Sequence, residues 1–339
     1  MSAEHGPGER ESAVLDPLYA EHWDRAPFAE VSERCERTVA GCPALRSLSY
    51  FNNGIVDFVV RPAGARPLSG GRESDLPIDV ESRPGNQLVL SMETFDKALA
   101  PLLTGSLMRM VVATPSGGLY CGRVKEQQHL VGVSLRGDGV APMDRALNDL
   151  VTDIRVHVLS RSAENPGGIP DQPYHTPDGT VEPHFTAGAR VDEPMVARLR
   201  GIWGRHLNPV DLQYLGYYED WRLTCVGDAF DDPRIGKRFL NIKPAARRRK
   251  YRDLADRLRD DIARLRDMLL LVSQEPMDRL VLDVEEGCVF FHWLPGGRGG
   301  DFVCGVTLDQ HEVGNAERRL RELVSELPRR APRPRSGRW

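Results

Sequence analysis

The stretches Leu130-Val-Gly-Val-Ser-Leu135 and Asp144-Arg-Ala-Leu-Asn-Asp-Leu-Val-Thr-Asp-Ile154 decide the fold, because both return later in the chain. The second occurrence is Val303-Cys-Gly-Val-Thr-Leu308 followed by Glu317-Arg-Arg-Leu-Arg-Glu-Leu-Val-Ser-Glu-Leu327. The number of residues between a segment and its second occurrence is the same for both segments. The apolar positions, the acidic positions and the glycines Gly132 and Gly305 therefore align in one register. A strand-to-helix unit repeated in one register predicts two copies of one small domain.

The length of the chain agrees with two copies. Its 339 residues exceed the roughly 250–300 residues at which a single hydrophobic core stops growing. The region between the copies carries five prolines and the pair Gly167-Gly168, a composition typical of a linker. We therefore expect a disordered N-terminus over 1–16, a first domain over 17–162, a linker over 163–192, a second domain over 193–327 and a basic, disordered tail over 328–339.

The spacing of apolar residues predicts the same element order in both copies: helix, two strands, helix, three strands, helix. A Gly-, Pro- and charge-rich excursion over 61–85 separates the early strands of the first copy from its second helix, and 231–244 takes the same place in the second copy. The first copy is predicted as helices 27–40, 91–103 and 142–159 with strands 45–51, 55–61, 108–114, 118–124 and 129–135. The second is predicted as helices 193–206, 244–273 and 315–327 with strands 212–218, 221–227, 280–284, 288–294 and 302–308.

This order resembles the roadblock/LC7 family, and the segments 108–154 and 280–327 carry the resemblance. It implies an α/β (α+β) fold with two profilin-like domains, each an antiparallel five-stranded sheet flanked by helices. Roadblock-like proteins commonly pair through a shared sheet and regulate or scaffold Ras-like GTPases, so the resemblance implies an internal pseudo-dimer and a small GTPase as partner. Two departures from the family pattern are the long insertion at 62–85 and the length of the helix that begins at Pro244.

Composition limits the other function classes. The formal net charge is −4, although the tail alone carries five arginines and no acidic residue, and an acidic body argues against general nucleic-acid binding. No phosphate-binding loop, catalytic signature or metal-ligand spacing is present, so no cofactor, metal or catalytic residue is predicted and the chain is expected not to be an enzyme.

The six cysteines are expected as buried thiols. No apolar run approaches the roughly 20 residues that cross a bilayer, and the polar N-terminus does not resemble a signal peptide, so the expected location is the cytoplasm.

The strongest candidate for partner binding is a run of cations at the start of the predicted long helix. The N-terminus of a helix is the positive end of its dipole, so cations there destabilise the helix and suggest a function. The alternative is neutralisation by Asp253, Asp256 and Asp260 along the helix. The predicted binding residues are Lys243, Arg247, Arg248, Arg249 and Lys250.

Aromatic residues around the predicted turn at Glu219-Asp220 form a second candidate. These rings alternate sides around the turn, so some are expected to face outward, where Tyr and Trp suit a protein interface. The cluster consists of Tyr214, Tyr217, Tyr218 and Trp221. Packing beneath the neighbouring loop is the alternative. The apolar stripe of the long helix is expected to pack on its own sheet, with its end free to reach the other copy or another chain.

These patterns favour a non-enzymatic interaction or regulatory protein with a protein partner, and self-association is also open. One alternative is an enzyme or small-ligand sensor with a pocket between the domains, using His175, His184 or the arginine cluster. Another is a nucleic-acid-associated regulator that uses the basic run and the tail. A further, weaker candidate is Arg298, at the tip of the Gly296-Gly-Arg-Gly-Gly300 turn, as an anion contact.

Overall fold

The computed structural model describes residues 14–24, 26–66, 68, 76–169, 172–174, 182–189, 191–296 and 299–327. Seven helices and twelve strands occupy these ranges. The helices are α1 (Ala29–Gly41), α2 (Pro77–Leu99), α3 (Val140–Asp153), α4 (Glu193–His206), α5 (Pro244–Arg252), α6 (Leu254–Leu269) and α7 (Val313–Glu326). The strands are β1 (Leu15–Tyr19), β2 (Ser47–Asn52), β3 (Ile55–Pro62), β4 (Leu107–Thr114), β5 (Gly117–Lys125), β6 (Gln128–Ser134), β7 (His184–Ala187), β8 (Tyr214–Glu219), β9 (Arg222–Asp228), β10 (Arg279–Val284), β11 (Gly287–Trp293) and β12 (Phe302–Thr307).

All twelve strands form one antiparallel sheet in the order β1-β3-β2-β6-β5-β4-β10-β11-β12-β8-β9-β7. The first six strands and the last six have the same order when each set is followed outward from the centre. The two halves meet where β4 pairs with β10 along its length. The fold class expected from the sequence, a mixed α/β fold with an antiparallel sheet flanked by helices, is therefore confirmed.

Each face of the sheet has its own core. Helices α2, α5 and α6 cover one face, where α2 of the first half packs against α6 of the second. Helices α1, α3, α4 and α7 cover the other. The predicted stripe of the long helix is confirmed as core, because its six apolar residues are at most 1% exposed: Tyr251, Leu254, Leu258, Ile262, Leu265 and Leu269.

The repeated Gly-Val segments explain how the last helix of each half reaches the sheet. Gly132 lies on β6 beneath Leu147 of α3, and Gly305 lies on β12 beneath Leu320 of α7. A Cβ atom at position 132 would overlap the Leu147 side chain, and one at position 305 would lie 3.0 Å from Leu320 Cδ2. The same glycine–leucine contact therefore occurs in both halves. This contact explains why glycine and leucine recur at matching positions of the repeat.

The second helix of the first half is longer than predicted. The sequence placed an exposed excursion over 61–85, but α2 already begins at Pro77 and includes buried Pro84 and Gly85. Proline and glycine are poor interior helix residues, and here tertiary packing overrides that preference. Gly85 allows the helix to approach Phe51, since a Cβ atom there would lie 2.7 Å from the Phe51 ring.

Two expectations for the second half need correction. The helix predicted over 244–273 is divided into α5 and α6 at Asp253, so it is not exceptionally long beside the 23-residue α2. The region 231–244 contains a 3-10 helix, Pro233–Phe239.

The outer strands add to the five predicted in each half. Strand β1 includes Leu15 and Asp16 of the segment expected to be disordered, and it pairs with β3. Strand β7 lies within the segment expected as a linker, and it pairs with β9. Residues 1–13 and the tail 328–339 lie outside the described residues.

The close contact at Gly85 gives a test with a matched control. We expect Gly85→Ala to destabilise the protein by about 1–3 kcal/mol, because the added methyl group overpacks the α2–sheet contact. Gly204→Ala adds the same group to α4, where nothing lies within 4 Å of the new atom. That control should be neutral or stabilising by about 0.4–1 kcal/mol. Urea unfolding measures both, and a Gly85→Ala protein as stable as the control would contradict the packing described.

Candidate functional site

The centre of the sheet is a symmetric arrangement of two valines and two arginines. Val111 of β4 lies opposite Val281 of β10. Two residues before each valine is an arginine, so Arg109 lies opposite Asp283 and Arg279 lies opposite Ala113. Alternate residues of a strand share a face and paired residues lie side by side, so both arginines project from the face covered by α3 and α7.

Each arginine is bound by a carboxylate from the helix of its own half. Arg109 Nη1 donates to both Asp144 carboxylate oxygens, at 2.7 and 2.9 Å, and its Nε lies 3.1 Å from Asp283 Oδ2. Arg279 Nη1 donates to Glu317 Oε1. Asp144 and Glu317 are the first residues of the repeated helical segments. The duplicated sequence therefore builds two corresponding ion pairs, both largely shielded from solvent.

A cavity of about 270 Å³ lies between α3 and α7 above these pairs. The segment from Asn165 to Ile169 closes one side of it. The Gly167 N–H donates to the Asp283 carboxylate, Gln310 Nε2 donates to the Asn165 carbonyl at 2.6 Å, and the Ile169 N–H donates to the His311 carbonyl at 3.4 Å. Both glycines at 167 and 168 have positive φ, +88° and +85°, a conformation that glycine adopts without strain. This segment is called the strap below, and the cavity the axis cavity.

Burial and neighbouring charges shift the pKa values of Asp283 and Glu317 in opposite directions. Desolvation raises the pKa of Asp283 from 3.8 to about 6, and the nearby charge of Arg109 only partly offsets it. Burial would also raise the pKa of Glu317, but the charges of Arg279, Arg321 and His292 outweigh it and lower that pKa from 4.5 to about 2. Perturbed carboxyl groups beside a cavity mark a candidate functional site, although buried ion pairs produce the same shifts.

The predicted run of cations is divided between the interior and the surface. Arg247 is 2% exposed, donates to the Leu102 carbonyl of the first half at 3.4 Å, and lies over the Phe239 ring. Arg248 binds Asp228 through Nε and Nη2, at 2.6 and 2.7 Å, and also binds Asp231. These two residues therefore have structural partners. Lys243 and Arg249 are exposed and Lys250 is half-buried, so they are the part of the run that a partner can reach.

The predicted aromatic surface is mostly internal. Tyr214 is fully buried against Phe230 and Tyr251, and Tyr217 is 5% exposed on the opposite face of the sheet. The expectation that rings of this group face outward is thus wrong for these two residues, because helices cover both faces of the sheet. Trp221 is half-buried, with its ring against Phe302 and beneath the Arg259 guanidinium.

The other predicted side chains do not converge on one place. His184 lies on edge strand β7 with its Nδ1 3.7 Å from Asp228, far along the sheet order from the axis cavity. His175 and Arg298 lie outside the described residues. All six cysteines are buried and free, as predicted.

Sequence reasoning missed the residues of the axis cavity. Arg109 and Asp283 lie inside the predicted apolar strands 108–114 and 280–284, and Arg279 lies one residue before the second of them, where no motif marks these residues. A charged residue within a strand that is otherwise Val, Leu and Met is itself a signal, since charges are rarely buried without partners. The repeat supplied a second signal, because Asp144 and Glu317 occupy the same position in both copies.

The described residues offer neither a metal-binding cluster nor a membrane-spanning helix. Over these ranges, no group of three or more His, Cys, Asp or Glu side chains is placed to hold a metal ion. Among the helices of the same ranges, none combines the length and apolar character that a membrane span requires.

Comparison with solved structures gives a partial match. A solved structure described as MglB with tetrameric arrangement matches at 23% sequence identity and a TM-score of 0.28. The match covers 42% of this chain and 95% of that chain. No family model matches the chain, and no curated protein matches it.

The ion pair of the second half gives a stability test. We expect Glu317→Gln to lower the free energy of unfolding by about 3 kcal/mol, because it leaves the Arg279 guanidinium without its carboxylate in a largely buried place. Asp261→Asn breaks the pair with Arg264, which is 73% exposed, and should cost less than about 1 kcal/mol. Chemical denaturation compares the two variants. Equal costs would show that the central pair contributes no more than a surface pair.

The pKa of Asp283 gives a pH test. Its folded-state pKa of about 6 is above the unfolded value of 3.8, so between these values the folded state binds more protons than the unfolded state. Asp283 therefore makes stability decrease as pH rises from 3.8 to 6. We expect Asp283→Asn to remove this contribution and make the slope of unfolding free energy against pH more positive over that interval. An unchanged slope in urea titrations would contradict the shift.

Proposed function

We propose that this chain is a non-enzymatic regulatory protein that binds a small Ras-like GTPase as a single-chain pseudo-dimer. The proposal joins the resemblance to roadblock/LC7 proteins with the observed sheet. The observation that carries it is the pairing of β4 with β10, which joins two halves of the same strand order into one sheet. This is the shared-sheet arrangement that the resemblance implies for two separate subunits. A duplicated chain of this kind has no concentration-dependent assembly step.

The partner-binding surface in this proposal is the exposed side of α5 and the segment before it. Lys243 and Arg249 are exposed, and Lys250 is half-buried. Leu240 of the preceding segment is 84% exposed. Cations beside an exposed apolar residue suit an acidic surface with an apolar contact, because the charges accelerate encounter and the apolar residue adds contact area.

In a single-chain pseudo-dimer, the two halves can differ in sequence and in the surface that they present to a partner. The region after β9 differs between the halves, since the second half has the 3-10 helix and α5 where the first half has the turn after β3 and the start of α2. Among the described residues, the turn after β3 and the start of α2 carry no run of cations like that of α5. A cationic surface on α5 gives one partner a single orientation on a nearly symmetric body. We propose a stoichiometry of one GTPase for each chain. Self-association through edge strands β1 or β7 is a separate proposal.

The small-ligand sensor is the second candidate, and the axis cavity favours it. The cavity lies between the halves, as that alternative required, but it is formed by Arg109, Arg279 and their neighbours rather than by the predicted histidines. The nucleic-acid alternative is less favoured, because Arg247 and Arg248 have internal partners. Its remaining support, the arginine-rich tail, lies outside the described residues.

The regulatory proposal is tested by affinity capture on the tagged full-length protein from its host lysate, loaded with GTP or GDP. We expect recovery of a small GTPase that depends on the nucleotide. Purified GTPase should then bind the unmodified protein, and Lys243→Glu/Arg249→Glu/Lys250→Glu should weaken binding at least tenfold, about 1.4 kcal/mol.

A matched control reverses three charges elsewhere. Arg198, Arg200 and Arg205 lie on α4, over the opposite face of the sheet, and all three are exposed. Their replacement by glutamate changes the net charge by the same amount and should leave the affinity within about twofold. Equal loss in both triple variants would indicate a general charge effect and would contradict the α5 surface. Absence of a GTPase under either nucleotide would contradict the GTPase proposal.

A further inference from the structure

The axis cavity presents more hydrogen-bond donors than the protein itself uses. Arg145 of α3 and Arg321 of α7 line it from opposite sides, and both residues are exposed at its mouth. In the part of the chain that the structure describes, neither side chain makes a hydrogen bond or an ion pair, although the charge of Arg321 acts on Glu317. Each guanidinium has five N–H groups and no acceptor. The mouth of the cavity is therefore rich in unused donors.

The carboxylates near these arginines already have other partners. Asp144 accepts from Arg109 and from Asn148 Nδ2, the latter at 3.2 Å, and Glu317 accepts from Arg279. Asp149 is the remaining acidic residue of the lining. It is exposed and lies one helical turn from Arg145, whose charge acts on it, but the two side chains form no ion pair within the described residues. The guanidinium groups of Arg145 and Arg321 therefore lack a negatively charged hydrogen-bond acceptor within the described residues.

The helices add to the same electrostatic preference. Ala141 and Gly314, in the first turns of α3 and α7, both line the cavity. The N-terminal ends of two helices of 14 residues each therefore lie at one cavity, and the positive ends of their dipoles favour an anion. Two unpaired arginines and two helix ends converge from different halves of the chain.

We propose that the axis cavity binds a small organic molecule through one phosphate or carboxylate group held between Arg145 and Arg321. Planar guanidinium groups bind both kinds of oxyanion through paired hydrogen bonds. The volume of about 270 Å³ accommodates a group larger than the oxyanion alone. Asn148 also lines the cavity, and its Oδ1 atom is buried without a hydrogen-bond partner within the described ranges.

The strap connects this site with both halves of the chain. Gly167 lies against Asn148 and Arg109, because a Cβ atom at 167 would be 2.7 Å from Asn148 Nδ2 and 3.0 Å from Arg109 Nη1. A ligand between α3 and α7 therefore contacts both halves and the segment that joins them. Its binding stabilises the folded pseudo-dimer by mass action. This site is independent of the α5 surface, so either proposal can fail without the other.

The test is calorimetric titration of the full-length protein with inorganic phosphate and, separately, with succinate, at constant ionic strength maintained with sodium chloride. We expect saturable binding of at least one probe. Arg145→Gln and Arg321→Gln should each weaken it at least tenfold, since each removes a charged hydrogen-bond donor. Arg264→Gln removes an exposed arginine of α6 on the other face of the sheet and should leave the affinity within about twofold.

The outcomes separate the two sources of the oxyanion. Binding of phosphate alone supports a phosphate ester as the ligand, and binding of succinate alone supports a carboxylate; binding of both supports the shared oxyanion site. Absence of saturable binding by either probe overturns the proposal. Equal affinity in the Arg145→Gln/Arg321→Gln double variant also overturns it, provided that its circular dichroism spectrum matches that of the unmodified protein. Both arginines are exposed at the mouth, so we expect both variants to fold.

Discussion

The pairing of β4 with β10 is the interaction on which the rest of the structure depends. It is central in the twelve-strand order, and it fixes the positions of both helical layers, because α2 meets α6 on one face and the gap between α3 and α7 opens on the other. Backbone groups at this seam have their hydrogen-bond partners in the other half of the chain. Separation of the halves would expose these groups and two apolar faces, so the halves stabilise each other.

Charged residues at this seam are the second constraint. Arg109, Arg279 and Asp283 lie in the middle of the sheet, where an unpaired charge would be strongly destabilising. Asp144 and Glu317 meet the arginines from equivalent helices, and the Gly167 N–H meets Asp283 from the strap. The linker between the halves is thereby held against the place where the halves pair. Any ligand of the axis cavity acts on this same group of residues.

The sequence predicted those parts of the fold that depend on local periodicity. The recurrence around Gly132 and Gly305 identified the strand–helix units, because glycine is required where Leu147 and Leu320 approach the sheet. The sequence did not predict the part of α2 that precedes Ser91, because Pro84 and Gly85 are unfavourable inside a helix. The contact between Gly85 and Phe51, which is distant in sequence, explains why a glycine is found there. The site was harder to predict. Arg247 and Arg248 resembled a binding surface because their partners, Leu102 and Asp228, are distant in sequence, and the axis cavity arises only when β4 and β10 come together.

A regulatory protein of this design would present one asymmetric binding surface on a nearly symmetric body. Such a design requires the two halves to form one cooperative sheet, which amide hydrogen exchange of the intact protein measures strand by strand. We expect the β4 and β10 amides around Val111 and Val281 to exchange as slowly as those of the most protected strands, through global unfolding alone. Faster exchange at this seam than within β5–β6 and β11–β12 would show that the halves separate before they unfold, and would contradict a single cooperative sheet.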